Sequence, residues 1–177
     1  MDEPTLYQRL LGDSYLLLPQ PLQRFHSLAA GGTAEGRVTV EWSAGRPARL
    51  CARLLLLPKA GTDLPVRVVV EPDAQRETWL RWFGNGLMRT VQRAHRDLLA
   101  ERKGPATVYF LLRADAGGIT FQYHSTRMFG IPLPRFIAPH IAARAAGEEQ
   151  GWRIDVRISI PMVGPIAAYH GLILPAS

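Results

Sequence analysis

The spacing of hydrophobic positions changes along the chain, and these changes predict the order of its elements. Residues 4–29 carry leucines three to four positions apart, and the stretch is broken at Pro19 and Pro21, which predicts two short helices. From Gly36 the spacing falls to two, as in RVTVEW. This alternation is typical of a half-buried strand, because successive side chains of a strand point to opposite faces.

A third helix is predicted over the segment PARLCARLLLLP. Leu50, Leu54 and Leu57 keep helical spacing, the arginines of the segment lie off this stripe, and Pro58 ends it. The pattern is that of a short amphipathic helix, with its leucines as the apolar face.

The remainder of the chain is typical of an antiparallel meander with short polar connections. The strand-like segments are PVRVVVEP, ETWLRWF, LMRTVQRAHRD, TVYFLLRAD, GITFQYHS, WRIDVRISIP and IAAYHGLIL. Glycine-containing turns predict hairpins at Gly84-Asn85-Gly86, Gly117-Gly118 and Gly164-Pro165. In the first of these, Asn85-Gly86 is expected to supply the positive φ of the turn. The proline-rich segment after GITFQYHS predicts one more helix, from about Pro134 to Arg144.

Together these elements predict an α+β fold that is mostly antiparallel β. The expected architecture is a strongly curved meander sheet, or an open or half barrel, of about eight strands, with two or three helices covering its concave side. A length of 177 residues fits a single domain over residues 1–177. Such a fold leaves an apolar surface between sheet and helices, which either side chains fill or a ligand occupies.

The net charge is positive, but the basic residues are not clustered in the sequence. The chain has 21 Lys and Arg against 15 Asp and Glu, a formal net charge of +6, and its only lysines are Lys59 and Lys103. We interpret the excess of arginine as the codon usage of a GC-rich genome rather than as phosphate recognition, since the arginines are spread along the chain. The single cysteine, Cys51, excludes an internal disulfide and a cysteine-based zinc cluster, and we expect it to be a buried small hydrophobe.

Targeting segments are not expected. Residues 1–13 open with two acids and lack a cationic stretch followed by an apolar one, so they do not resemble a signal peptide. The long low-charge stretch at residues 158–175 is interrupted by Pro161 and Pro165, which favours two short strands over a transmembrane helix. The sequence therefore predicts a soluble protein of the cytoplasm.

No catalytic, metal-binding or nucleotide-binding motif is present. The sequence contains no HExxH, no GxSxG and no glycine-rich loop that opens a helix, so no metal, cofactor or catalytic residue is predicted. We interpret the carboxylates as solvated partners of neighbouring arginines. Two Tyr-His pairs are candidates for one shared cavity, which leaves open an enzyme that uses His124, Tyr169 and His170.

The aromatic segment ETWLRWF raises the question of nucleic-acid binding. Trp79, Arg81 and Phe83 share one face of the predicted strand, with Arg81 expected to stack on its aromatic neighbours, whereas Leu80 and Trp82 share the other. Neither face collects a basic stripe, so nucleic acid is not an expected partner.

Several segments together resemble a bacterial family of unknown function, DUF4166. They are YQRLLGDSY, GTAEGRVTVEW, ETWLRWFG, GIPLPRFIAP and WRIDVRISIPMVGPIAAYHGLI, and the most specific are W-x-R-x-F-G and G-x-P-L-P. The resemblance spans about Leu6 to Leu174. It implies a domain that occurs alone or behind a saccharopine-dehydrogenase-like or short-chain-type oxidoreductase module, without implying any catalytic residue. Because no Rossmann fingerprint is present, the chain itself is not expected to hold NAD.

The function predicted from these observations is non-catalytic binding of a hydrophobic small molecule or lipid in a cavity between sheet and helices. The candidate ligand-binding residues are Trp79, Arg81, Phe83, Tyr123, His124, Tyr169 and His170. One alternative is an interaction or substrate-positioning module for a separately encoded oxidoreductase, and a second is the enzyme with a His/Tyr cluster. Exposed strand edges would allow a homodimer, whereas edge proline and arginine would oppose it.

Overall fold

The computed structural model describes residues 4–73 and 75–176, so the two acids at the start of the N-terminal stretch lie outside the described residues. The helices are α1 (Leu6–Leu11), a 3-10 helix (Gly12–Leu17), α2 (Gln20–His26) and α3 (Arg46–Leu54). Prolines separate the first helices as predicted, since α2 begins directly after Pro19 and carries Pro21 in its first turn, where proline is tolerated. In the described part of the chain no helix has the length and apolar character needed to cross a membrane.

The strands form one antiparallel sheet. They are β1 (Gly32–Trp42), β2 (Gly61–Asp73), β3 (Arg76–Phe83), β4 (Gly86–His95), β5 (Leu98–Lys103), β6 (Ala106–Asp115), β7 (Gly118–Met128), β8 (Ile131–Pro132), β9 (His140–Gly147), β10 (Trp152–Ile160) and β11 (Gly164–Pro175). All of them except β8 close into a barrel of ten strands, because β6 pairs with β7 and β1 pairs with β11. The prediction of a mostly antiparallel β fold with a strongly curved sheet is confirmed, but the barrel is closed and has ten strands, where a curved sheet or an open or half barrel of about eight was predicted.

Two strands account for the difference in number. β5 was not predicted at all, and its residues pair with β4 on one side and β6 on the other. The helix predicted from Pro134 to Arg144 is wrong, because His140–Gly147 is strand β9, paired with β10 along its whole length. The alanines of this segment favour a helix locally, but the ladder with β10 decides its structure.

The helices lie at the ends of the barrel. The prediction that they cover the concave side of the sheet is therefore wrong. Since neighbouring strands are antiparallel, their connections alternate between two ends. We call the end that holds α1, the 3-10 helix and α2 the plug end. The mouth end comprises five connections, at residues 43–60, 84–85, 104–105, 129–139 and 161–163. The first of them contains α3 and the loop that follows it.

The plug end is packed with aromatic and aliphatic side chains. Leu22 and Tyr7 are fully buried, and Phe25 contacts Trp152 with ring centroids 4.8 Å apart. The Tyr7 ring also lies 6.2 Å from the ring of Trp79, whose side chain points into the barrel from β3. The N-terminal helices therefore share one hydrophobic core with the barrel interior.

The hairpin of β3 and β4 differs in detail from its prediction. Phe83 pairs with Gly86, so the two residues of the turn are Gly84 and Asn85. The positive φ, 56°, belongs to Gly84, the first central position, where glycine has no Cβ to clash. The hairpin forms as expected, with its turn one residue earlier than predicted.

Helix α3 faces the protein with its alanines. Ala48 and Ala52 are buried against β11 and β1, whereas Leu50 and Leu54 are exposed. The amphipathic pattern correctly predicts the helix, but the leucine stripe is not its buried face.

One seam of the barrel is only partly paired. β7 and β9 form a ladder over Gly118–Phe121 and Ala143–Ala146 and then diverge toward the mouth end. Residues 129–139 fill the gap, where the backbone N–H of Leu133 donates to the carbonyl of Thr126. His140 stacks on Tyr123 across the gap, with ring centroids 4.5 Å apart.

Candidate functional site

The interior of the barrel contains a cavity of about 280 Å³. Most of its wall is apolar, with side chains from nearly every strand, among them Val38, Val66, Val68, Met88, Val108, Phe110, Phe121, Ile141, Ala143, Ile154 and Val156. Inward-facing residues alternate along each strand with outward-facing ones, so the period-two pattern of the sequence produces this lining directly. The loop Leu55–Pro58 and the β5–β6 turn border the cavity at the mouth end.

An ion pair lies inside this apolar wall. The Nη1 atom of Arg81 donates to Oγ1 of Thr90 at 2.7 Å and to Oε1 of Glu101 at 3.1 Å. The guanidinium carbon lies 4.7 Å from the ring centroid of Trp79. These contacts hold the planar cation in one orientation, because a hydroxyl, a carboxylate and an aromatic face each constrain it.

A second cation lies beside this pair, at the mouth. Nζ of Lys103 donates to the carbonyls of Leu55 at 3.1 Å and Leu56 at 2.5 Å, which ties the loop after α3 to strand β5. Burial lowers the pKa of Lys103 to about 8, while the neighbouring Glu101 raises it and Arg81 lowers it further. Around neutral pH this cluster therefore holds two cations and one carboxylate, an excess of one positive charge.

Tyr169 presents a hydroxyl to the same cavity. Its ring packs edge to face on Phe83, with centroids 5.5 Å apart, and both side chains line the cavity. Burial raises the pKa of Tyr169 to about 12, so its hydroxyl is a neutral donor at physiological pH. Of the neighbouring charges, Arg81 lowers the pKa of Tyr169 and Glu101 raises it.

Polar groups toward the plug end are paired with one another. Oε2 of Glu77 accepts the indole N–H of Trp79 at 3.0 Å, and the hydroxyl of Tyr7 donates to Oε1 of Gln92, also at 3.0 Å. Burial raises the pKa of Glu77 and, even more, that of Tyr7. Because the members of each pair are hydrogen-bonded to each other, we interpret these groups as structural.

His26 closes the plug end from inside. Its ring stacks on Tyr7 with centroids 3.8 Å apart and lies 5.9 Å from the ring of Trp79. Burial among these aromatic rings lowers the pKa of His26 to about 3. The imidazole is therefore neutral at physiological pH and acts as a packing group.

The structure brings four of the predicted ligand-binding residues together. Trp79, Arg81, Phe83 and Tyr169 all line the cavity. The first three alternate on β3 as the sequence indicated, and Arg81 lies over Trp79. Tyr169 joins them from β11, which is separated from β3 in the sheet by β2 and β1.

The other three candidates lie elsewhere. His124 and His170 are exposed on the outer surface, because each follows an inward- or seam-facing tyrosine in its strand and neighbouring strand residues point to opposite faces. Tyr123 lies in the seam between β7 and β9, where its hydroxyl accepts from Oγ1 of Thr126 at 3.2 Å. The residues of the His/Tyr cluster considered for an enzyme, His124, Tyr169 and His170, therefore do not share the cavity.

Sequence reasoning missed the carboxylates that lie inside the barrel. Glu77 and Glu101 were interpreted as solvated carboxylates, and both face the interior. For Glu77 the signal was available, since it continues the alternation of Trp79 and Arg81 on β3. Glu101 and Lys103 lie on β5, and their inward direction follows only once that strand is known.

Comparison with known proteins gives a family and a fold. The profile of the family described as "Domain of unknown function (DUF4166)" matches residues 18–173. No curated protein matches the chain. A solved structure of a protein of unknown function from the DUF3598 family of Nostoc punctiforme is similar, with a TM-score of 0.53 and 10% sequence identity over 82% of this chain and 47% of that chain. The chain thus spans about half the length of that protein, and the likeness shows the fold alone.

Proposed function

The chain belongs to the DUF4166 family, and we propose that its barrel binds a small amphipathic molecule with an apolar body and an anionic end. The observation that carries this proposal is the contrast within one cavity: a mostly apolar wall, and a cluster of Arg81, Thr90, Glu101 and Lys103 near the mouth that holds two cations and one carboxylate. Ligand sites of proteins commonly combine an apolar cavity with a few converging polar groups.

The apolar part of the cavity limits the size of the ligand. A volume of about 280 Å³ lies just below the range of roughly 300–1,000 Å³ that is usual for small-molecule sites. This favours one short alkyl chain or a compact ring system, and disfavours a phospholipid with two acyl chains.

The polar cluster favours a ligand with a negative charge. Arg81 and Lys103 outnumber Glu101, so a ligand carboxylate would balance the cluster, and the hydroxyl of Tyr169 would add a donor. The guanidinium is already oriented by Thr90 and Glu101, which reduces the ordering that binding requires. An uncharged alcohol of the same length would fill the apolar wall without balancing this charge.

A comparison of decanoate with decanol tests the proposal. We expect isothermal titration of the purified chain to show tighter binding of decanoate by on the order of tenfold, because a hydrogen bond to a charged group contributes about 1.5–3 kcal/mol. Lys103→Met should remove most of this preference while decanol binding is retained. Lys59→Met, a change at the other lysine, is the matched control and should preserve the preference.

The titration can also contradict the proposal. Absence of binding for both probes would exclude a ligand of this class. Equal affinity for both would support binding of an apolar ligand but contradict the proposal that the ligand has an anionic end. Native mass spectrometry of the chain purified from its host gives an independent check, with a small bound acid as the expected species.

A further inference from the structure

We propose that the mouth end of the barrel docks on a lipid membrane whose surface carries anionic headgroups. Two independent properties coincide at this end: large apolar side chains that are exposed to solvent, and basic residues without acidic neighbours in the same loops. Amphipathic surfaces of this kind bind the interface of a membrane through the apolar groups and its anionic lipids through the basic ones.

The exposed apolar side chains come from three separate connections. Leu54 and Leu56 are 72% and 74% exposed, Phe129 is 79% exposed, and Met162 is 72% exposed. Scattered single apolar residues are normal on a protein surface, whereas a group of them at one place indicates a binding surface. Ile131, Phe136, Ile137 and Leu50 extend the same group.

Hydrogen bonds bring these connections to one rim. The bonds from Lys103 hold Leu55 and Leu56 against the end of β5, and the backbone N–H of Phe129 donates to the carbonyl of Pro105 at 2.9 Å. The loop after α3, the β5–β6 turn and the segment after β7 are therefore neighbours around the mouth. Met162 lies in the β10–β11 turn, next to Val163, which packs on the cluster that contains α3.

The charges at this rim have one sign. The five mouth-end connections contain Arg46, Arg49, Arg53, Lys59 and Arg135, and no acidic residue. All five are exposed, and none forms an ion pair with any residue that the structure describes. On the flanking strands the exposed acids are Glu41 and Asp63, and Asp63 is already paired with Arg37 at 2.6 Å.

The orientation of α3 fits this role. Because Ala48 and Ala52 face the barrel, the leucines and arginines of the helix face outward together. Long arginine side chains can reach headgroup phosphates while neighbouring leucines enter the acyl boundary. A nucleic acid would instead need aromatic platforms along a basic groove, and the exposed apolar residues of α3, Leu50 and Leu54, are aliphatic.

Vesicle flotation with the full chain tests docking directly. We expect the chain to float with vesicles of phosphatidylcholine and phosphatidylserine, to bind pure phosphatidylcholine vesicles far more weakly, and to be released in part by salt, which screens exposed charges. Binding to single-stranded RNA with no binding to either vesicle would overturn the proposal in favour of nucleic acid. Equal binding to both kinds of vesicle would overturn the anionic requirement.

Matched sets of substitutions at the two ends locate the surface. The triple variant Arg46→Gln, Arg49→Gln and Arg53→Gln should lower partition into the anionic vesicles by on the order of a hundredfold, since each basic residue at such a surface contributes about a factor of five. The plug-end variant Arg9→Gln, Arg24→Gln and Arg96→Gln removes the same charge and should bind nearly as the parent chain. Equal losses in both would mean attraction by net charge alone and would overturn a specific surface.

Apolar substitutions complete the test. Leu54→Gln with Phe129→Gln should weaken the binding that remains at high salt, whereas Leu16→Gln with Leu17→Gln, exposed leucines of the plug end, should not. Vesicle binding does not require a ligand in the cavity. Loss of decanoate binding with retained flotation would therefore contradict the proposed function alone, and the reverse result would contradict docking alone.

Discussion

The two ends of the barrel use similar residues in opposite ways. At the plug end Leu22, Tyr7 and Phe25 are buried, and the surface charges there are of both signs, as in the pair of Arg153 with Glu148. At the mouth end leucines of the same size are exposed, and the basic residues of the loops have no acidic counterparts among them. Most large apolar side chains of the plug-end helices pack into the core, with Leu16, Leu17 and Leu28 exposed, whereas most of those in the mouth-end connections lie at the surface.

This contrast predicts that the residues that stabilise the fold lie at the plug end and that those available for binding lie at the mouth end. The helices of the plug end join the main core, so changes there should affect the whole fold. The loop after α3 is held by Lys103, by the alanines of α3 and by the indole N–H of Trp42, which donates to the carbonyl of Pro58 at 2.8 Å, so changes at one of these contacts should act locally. Substitutions in the loop after α3 are therefore expected to leave the barrel folded.

The largest expected difference between the ends concerns the leucines. Leu22→Ala should lower the free energy of unfolding by about 2–5 kcal/mol, because it opens a cavity in a fully buried site. Leu54→Ala at the mouth should change it by less than about 0.5 kcal/mol, because that side chain is exposed. Urea unfolding followed by tryptophan fluorescence measures both. Comparable losses would show that α3 is as much a part of the core as α2.

A smaller loss of stability is expected at acidic pH, through His26 at the plug end. The pKa of His26 is about 3 in the folded chain and near 6.5 when unfolded, so below pH 6.5 the unfolded chain binds the extra proton. The contribution of His26 to the free energy of unfolding is therefore fully present above pH 6.5 and decreases as the pH is lowered. Between pH 7 and pH 5 the loss should be about 1 kcal/mol, since the half-buried ring is partly screened. His26→Phe should flatten this part of the curve, and an unchanged slope would show that another group titrates.

The smallest effect is local to the mouth. Lys103→Met removes both hydrogen bonds to the carbonyls of Leu55 and Leu56, so amide exchange in residues 55–60 should accelerate by on the order of tenfold. Global stability should change by less than about 1 kcal/mol. Hydrogen exchange with mass spectrometry resolves the segment, and Lys59→Met in the same loop is the control. Equal acceleration throughout the barrel would show that the loop does not open on its own.

Much of the fold could be predicted from the alternation of side chains. The β3 segment gave the face shared by Trp79, Arg81 and Phe83 without any knowledge of tertiary structure, because strand residues two apart point the same way. Strand β9 could not be found in this way, since its alanines favour a helix and only pairing with β10 overrides that preference.

The site was harder to predict than the fold. The partners of Arg81 come from β4 and β5, and the register that brings Thr90 and Glu101 to it is set by hydrogen bonds between strands. The exposed face of α3 was also beyond sequence reasoning. A leucine stripe normally marks a buried face, and here it would instead mark a surface for an external partner.

Barrel closure has a consequence for the rate of folding. The ladder of β1 with β11 joins residues such as Val38 and Gly171, which lie more than a hundred positions apart in the chain. All other ladders join strands that are neighbours or near neighbours along the sequence, so they can form early from local hairpins. The last ladder must wait until an almost complete sheet has curled, since closing so long a loop costs chain entropy before any bond is made. Until then both edges are unpaired, and an incompletely folded chain can associate with another copy through them.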